Sequence, residues 1–464
     1  MIRTKKGLKY KITCAIAGLS AAAMMLTGCS APASNVSGTN TGTSGTNAGS
    51  SAANAAPGDR VAISFWHSMS GNNQEVLDSI VAGFNASQDK YVVTAENQGS
   101  YDESTGKFFN MAGGDGSAHI IQIGEQNLQS MIDSGIIKSM TELINTYNFD
   151  DSDLLDQVVN FYTVNGAMYA MPFNCSSPVV YYNKDVFDAA GYTEFPSTFE
   201  GISQAAAAIA AQDSGIKPVG MYAYGYALDQ MVTNMGGFTI NNGNGRSARA
   251  TEVAYQEQIG QIFNWIADLQ NSGYLLNYGS DGTNTLSGFT QKDVAMFIST
   301  SASCRNVIDS CDFEVGVSAL PLPEGMEAQG VYAGGGALCA AAGMDPATEA
   351  GVMEFFKYVT SAEVQATWAG GTGYFPICNA AYETESMTAT YQQYPQLRVA
   401  ADQLLNSKVN EITAGPLLSQ LPQLRTDLVT ALEAVFNGSD VQTSIDAAVS
   451  STNSAIASAN QGVN

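Results

Sequence analysis

The sequence predicts an α/β protein built from two lobes. Three observations carry that expectation. Strand-like and helix-like segments alternate from residue 60 onward, the pattern of sheets covered by helices. The folded part, roughly 405 residues, exceeds one ordinary domain. The stretch PFNCSSP at 172–178 sets two prolines around small polar residues. Such a piece is stiff and extended, unsuited to a helix or strand interior and suited to a crossover between lobes.

The elements follow in order. Residues 60–67 (RVAISFWH) form a short β-run, and 68–71 turn the chain into a helix over 73–85 with Val76, Ile80, Val81 and Phe84 on one face. A strand at 90–95 and a helix at 105–111 come next. Gly113-Gly114-Asp115-Gly116 then leads to a strand at 119–123. Further strands are expected at 168–171, 179–182, 294–298 and 314–317, separated by helices such as the Ala-rich 202–212 and the amphipathic 254–269. No repeat of about 20–50 residues is visible, which excludes a solenoid.

Composition narrows the function. With 45% hydrophobic residues in 464, the chain carries enough apolar material for large cores. Acidic residues number 43 against 19 basic ones, and five of the basic ones (Arg3, Lys5, Lys6, Lys9, Lys11) lie in the first eleven positions. Setting those aside leaves 14 against 43, a net −29 that repels phosphate backbones, so nucleic acid is not an expected partner. His67 and His119 are the only histidines, and no CxxC pair occurs, so neither a metal nor a cofactor is expected.

The start of the chain reads as an address. A basic region at 1–11 precedes an apolar stretch at 12–25, and Leu26-Thr27-Gly28-Cys29 follows. This resembles a lipobox, the bacterial signal for lipid attachment and cleavage at Cys29. A membrane-spanning anchor wants about 20 apolar residues, more than this stretch has. Residues 1–29 are thus expected to be a lipoprotein signal peptide, leaving the protein extracytoplasmic and lipid-anchored to the cell membrane. Residues 30–58, without charges or aromatics, read as a flexible linker. Of the remaining cysteines, Cys175, Cys304, Cys311, Cys339 and Cys378, an odd number, are expected to be free and largely buried.

No enzyme signature is found: GxSxG, HExxH and GxxxxGK[ST] are absent, and Gly243-Asn244-Gly245 lacks the third glycine of a dinucleotide fingerprint. The glycine clusters 113–116, 334–336 and 370–373 read as turns. Signal, tether and two lobes without catalytic machinery resemble the extracellular solute-binding lipoproteins of ABC importers. FWHSM at 65–69, GSYDES at 99–104, PFN at 172–174 with Ser176, YYNKD at 181–185, Gly334-Gly335, GTGYFPI at 371–377 and PQLR at 422–425 look like the subgroup that binds sn-glycerol-3-phosphate. The similarity runs in order from 61 to about 450.

The resemblance implies a periplasmic-binding-protein-like clamshell with a hinge. Lobe one would be 60–172 and 331–371, and lobe two 176–328 and 374–464. It implies a monomer that is no enzyme, taking a small polar solute to permease subunits in the membrane. Carried over by position, Tyr101, Glu125, Ser176, Thr300, Gly335, Tyr374 and Arg425 would contact ligand. A guanidinium suits phosphate, hydroxyls and a glycine N–H add neutral donors, and a carboxylate accepts from glycerol hydroxyls. Trp66, Tyr222, Tyr224 and Tyr226 are candidate pocket aromatics.

Two alternatives and three departures stand beside that reading. By residue type alone, Arg425, with Asp427 nearby, reads first as a surface salt bridge; Tyr101 and Tyr374 read as half-buried aromatics, and Glu125 as a solvated loop carboxylate. The subgroup's PFNSST is PFNCSS here, Thr300 stands for a serine, and a tryptophan-rich segment is replaced by MYAYGYA at 221–227. The last change widens the glycerol end, making room for a glycerophosphodiester or a sugar, and tyrosine faces can hold a quaternary ammonium. An oligosaccharide-binding importer component is therefore the alternative within the class, and a secreted glycoside hydrolase, which needs paired carboxylates, the one outside it.

Overall fold

Val61–His67 is a strand paired in parallel with Tyr91–Asn97 on one side and Ile120–Gly124 on the other. The computed structural model describes residues 60–111 and 116–461; the expected signal stretch with Cys29, the expected linker at 30–58 and most of the turn expected at 113–116 lie outside them. Between the first two strands runs the helix Gly71–Ser87. Its buried stripe is Leu77, Ile80, Val81 and Phe84, at the i, i+3, i+4, i+7 spacing of an amphipathic helix. Leu77 thus replaces the expected Val76, which is half-buried. Phe84 meets Phe355 edge-on at 5.2 Å, and Phe355 packs on Phe65, each ring contributing about 1.5–3 kcal/mol by burial.

Two five-stranded sheets result. The first has the order Tyr91–Asn97, Val61–His67, Ile120–Gly124, Gly334–Ala340, Met171–Ser176, with Gly334–Ala340 antiparallel to both neighbours. The second has the order Val315–Ser318, Pro178–Asn183, Val294–Thr300, Lys217–Met221, Leu275–Asn277. Ile120–Gly124 and Met171–Ser176 are buried throughout, so they read in sequence as continuous runs without alternation.

The crossover falls where the prolines placed it, but its conformation differs. The chain leaves the first sheet at Ser176 and enters the second at Pro178, so both prolines lie in strands rather than in an irregular link. Met171–Ser176 is an edge strand whose register slips opposite Phe173, and Pro178 is the first residue of its strand; both positions tolerate a missing N–H. Ser177 between them is held by Ser301 and by Gln403 from the far side.

Other boundaries move for local reasons. The expected strand at 168–171 is divided, with Ala167–Met168 closing a small hairpin on Thr163–Val164 and Met171 opening the next strand. Gly334–Gly336 is strand, not turn. A Cβ on Gly334 would collide with the Tyr226 hydroxyl, and Gly335 sits at φ +89°, where glycine alone is at ease. Cys304 begins the helix Cys304–Ser310, Cys311 caps it, and all five described cysteines are free.

Candidate functional site

The site forms where strand ends of both sheets face each other, the usual crevice of α/β sheets. Glu125 follows directly on Ile120–Gly124, Ser176 ends Met171–Ser176, and Thr300 ends Val294–Thr300. Tyr101 is the first residue of the helix Tyr101–Met111, four residues earlier than periodicity suggested. A capping box sets that start: Glu103 N–H donates to Ser100 Oγ at 3.3 Å, and Ser100 N–H donates to Glu103 Oε2 at 2.8 Å. The second bond holds the exposed Glu103 carboxyl below its usual range.

Together these elements enclose a cleft of about 410 Å³, within the ordinary size of small-ligand sites. Tyr101, Glu125, Ser176, Thr300, Gly335, Tyr374 and Arg425 all line it, with Tyr224 and Tyr226. Trp66 does not: it is buried edge-on against Phe108. Tyr222 stacks on Tyr224 at 4.9 Å but faces a small apolar cavity behind it, beside Trp265 and Met231.

Arg425 is the centre of the electrostatics. It lies in the helix Leu421–Phe436, near the start that Pro422 favours. Its Nε donates to Asp229 Oδ2 at 2.8 Å, its Nη2 donates to Tyr332 Oη at 2.9 Å, and Nη2 lies 2.7 Å from Glu125 Oε1. The Tyr226 ring lies 5.1 Å from the guanidinium carbon. Nη1 has no protein partner among the described residues. The surface salt bridge with Asp427 does not form; that carboxylate takes bonds from Gln423, Ser451 and Thr452 instead.

Two residues of this cluster escape sequence reading. Asp229, fully buried, lies in the helix Gly225–Asn234 and also accepts from Tyr332 Oη at 2.8 Å. Gly225, one turn earlier on the same face, lets the backbone of Arg425 come so near that a Cβ would sit 2.6 Å from its carbonyl. Removing the side chain at 225 thereby seats Asp229 against the guanidinium. Tyr332 comes from the return crossover between the sheets, where its main chain is held by Gln230.

One cation serves two buried carboxylates. Burial opposes the charge of Arg425, but Asp229, Tyr332 and Glu125 outweigh it and keep it protonated. Burial pushes the Glu125 carboxyl up, against the pull of Arg425, and Asp229 adds to the rise. Burial raises the Asp229 carboxyl as well, but Asp229 accepts aligned hydrogen bonds from Arg425 and Tyr332, whereas Glu125 Oε1 is held by charge at 2.7 Å without such alignment, so Glu125 is the carboxyl better placed to meet a ligand's donor. The Thr300 hydroxyl accepts from Ala302 N–H at 3.2 Å, leaving its own proton for the cleft.

Residues 79–399 match the bacterial extracellular solute-binding proteins. The chain belongs to that family. This solute-binding protein is 31% identical over 390 residues to the sn-glycerol-3-phosphate-binding periplasmic protein UgpB of Yersinia pseudotuberculosis, covering 81% of this chain and 88% of that protein. UgpB of Rhizobium meliloti is 30% identical over 409 residues, covering 86% and 94%. Two solved structures share the fold. UgpB from Mycobacterium tuberculosis, in complex with glycerophosphocholine, superposes with a TM-score of 0.73 at 19% identity, covering 86% of this chain and 98% of that one. The GacH receptor of Streptomyces glaucescens, solved unliganded and with acarbose, gives 0.71 at 23%, covering 85% and 97%. The clamshell of two α/β lobes expected from the resemblance is the fold of this solute-binding protein.

Proposed function

We propose that this protein captures sn-glycerol-3-phosphate or a glycerophosphodiester outside the membrane and delivers it to the permease of an ABC importer. The observation that supports it most is the convergence of Arg425, its Nη1 open, with hydroxyls of Ser176, Thr300, Tyr101 and Tyr374 in one cleft. In this reading the guanidinium and the hydroxyls hold the phosphate. Glu125 Oε1, buried and without an aligned donor, accepts from glycerol hydroxyls. No bond is made or broken. The protein acts as a monomer, anchored through lipid on Cys29 and the tether 30–58, with lobes at 60–172 plus 331–371 and 176–328 plus 374–464.

Charge favours the diester. With both carboxylates ionised, Arg425, Asp229 and Glu125 sum to −1, which disfavours a phosphate dianion. A diester carries one negative charge, and a cationic head group can lie on the Tyr224 and Tyr226 faces. The same ion pairing favours the second reading, a carbohydrate ligand, in which Arg425 is neutralised by its own protein and the tyrosines stack on sugar rings. Titration calorimetry of the purified protein with sn-glycerol-3-phosphate, glycerophosphocholine and a neutral disaccharide decides. Heat from either phosphorylated probe at micromolar concentration is expected; heat from the disaccharide alone overturns the phosphate reading.

A further inference from the structure

We infer that Gln122 and Asn174 form a positioning relay that holds the Tyr101 hydroxyl as a hydrogen-bond donor toward the cleft, so that the site reads an acceptor oxygen of the solute at that point. The inference rests on the cleft being the solute site, as proposed above.

The polarity of the relay begins at a main-chain group. Ser68 N–H can only donate, and it does so to Gln122 Oε1 at 2.9 Å. With its oxygen committed, Gln122 presents Nε2, which donates to Asn174 Oδ1 at 2.8 Å. Asn174 in turn presents Nδ2, which donates to Tyr101 Oη at 2.8 Å. The phenol therefore accepts from Asn174, and its proton is left for the cleft side, which Tyr101 shares with the neighbouring Tyr374 hydroxyl. Reversing the Gln122 amide would set donor against donor at Ser68 N–H, and reversing Asn174 alone would do so at Gln122. Both amides are fully buried, where no water relieves such a conflict.

Neither Gln122 nor Asn174 lines the cleft, so their polarity acts through Tyr101. The neighbouring strand leaves room for the relay. A Cβ at Gly336 would lie 2.9 Å from Asn174 Oδ1 and 3.0 Å from Tyr101 Oη. A chain of amides also sets direction without adding charge beside Glu125. An oxygen of a phosphate accepts from a donor so fixed, whereas a sugar hydroxyl has to turn to meet it.

Asn174→Asp keeps the shape and makes the polarity titratable. Ionised, the new carboxylate accepts from both Gln122 and Tyr101, so the phenol turns its proton inward; protonated, it donates to Tyr101 and restores the native direction. Tyr101 and Tyr374 face this position directly, and Glu125, paired with Arg425, lies beyond them. Calorimetry on the full chain with sn-glycerol-3-phosphate and glycerophosphocholine, read relative to wild type at each pH, is expected to show binding about tenfold weaker at high pH and recovering toward pH 5. Adding Tyr101→Phe should remove that pH dependence. An equal loss at every pH, or a pH dependence that survives Tyr101→Phe, overturns the relay. Neutron diffraction of the deuterium-exchanged wild-type protein tests it without a ligand and without a variant that has to fold. The deuteron bound to Tyr101 Oη is expected on the cleft side, with that of Asn174 Nδ2 pointing at the phenol oxygen; a deuteron bound to Oη and aimed at Asn174 overturns the relay. Failure of wild type to bind either probe counts against the phosphate reading alone, and the neutron result then judges the relay by itself.

Discussion

Removing the guanidinium of Arg425 is the sharpest test of the ligand, but the single truncation is confounded by the structure. Arg425→Ala strands Asp229, fully buried, and Glu125, 4% exposed, without a cation. Breaking a buried pair in that way costs about 3–5 kcal/mol of stability. A loss of binding would then report unfolding as much as recognition. The double variant Arg425→Gln with Asp229→Asn halves this penalty, because Asp229 loses its charge together with its cation and only Glu125, whose carboxyl can take a proton, is left unpaired. The cluster sums to −1 before and after, since one positive and one negative charge leave together while Glu125 stays. Tyr332 Oη keeps an acceptor in the Asn carbonyl, so the crossover it belongs to remains tied. The fold is therefore expected to survive, checked by thermal unfolding. Affinity for a phosphorylated solute should nevertheless fall by about 2 kcal/mol or more, roughly 30-fold, because a charge-assisted contact to the anion has gone. A neutral sugar would lose one ordinary hydrogen bond of about 1 kcal/mol, near fivefold. Calorimetry with sn-glycerol-3-phosphate and glycerophosphocholine measures the difference. Binding of both within about threefold of wild type, in a folded double variant, would refute the assignment of phosphate to Arg425.

Two further outcomes are expected. Cys29→Ala should release or mislocalise the protein while the folded part keeps its thermal unfolding transition; undiminished metabolic acyl labelling of that variant would mean the anchor lies elsewhere. The raised Glu125 carboxyl means the folded state holds its proton more tightly than the unfolded chain does, so this group's contribution is fully present below its ordinary value of 4.5 and is lost as pH rises through the folded value. Glu125→Gln should accordingly flatten the decline of stability with rising pH relative to wild type, and identical slopes in thermal unfolding from pH 4 to 8 would contradict it.

What sequence could reveal was set by distance along the chain. Motifs such as GSYDES and GTGYFPI place Tyr101 and Tyr374 because local rules act within them, the Ser100–Glu103 capping box being one. The turn reading of Gly334–Gly336 failed because a run of glycines marks either a bend or a crowded strand. Here the Tyr226 hydroxyl and Asn174 fill the space the side chains would need. Asp229 was invisible for another reason. Every residue of Gly225–Asn234 is buried, so the helix shows no polar face, and Asp229 meets Arg425 across 196 positions. A lone acid in an otherwise buried helix is legible as a site only once its cation is known.

That cation also resolves an apparent conflict between charge and ligand. Beyond its first eleven residues the chain carries a net −29, which repels polyanions, whose many phosphates sample the whole surface. A single small anion samples only what lies near it, because surface charges farther than about 8 Å are screened at physiological ionic strength. The charged groups that line the cleft are Arg425 and Glu125, with Asp229 paired to Arg425, among neutral hydroxyls from both lobes. Asp229 is what makes the balance tight. Without it, Arg425 and Glu125 would cancel and a phosphate would meet a neutral site; with it, the site starts one charge negative unless Glu125 takes a proton. A solute that brings its own positive charge relieves the excess with no protonation, and one that brings two negative charges deepens it. On this arithmetic a zwitterionic glycerophosphodiester should bind more tightly than glycerol-3-phosphate at pH 8, and the gap should narrow as falling pH protonates Glu125 and part of the phosphate.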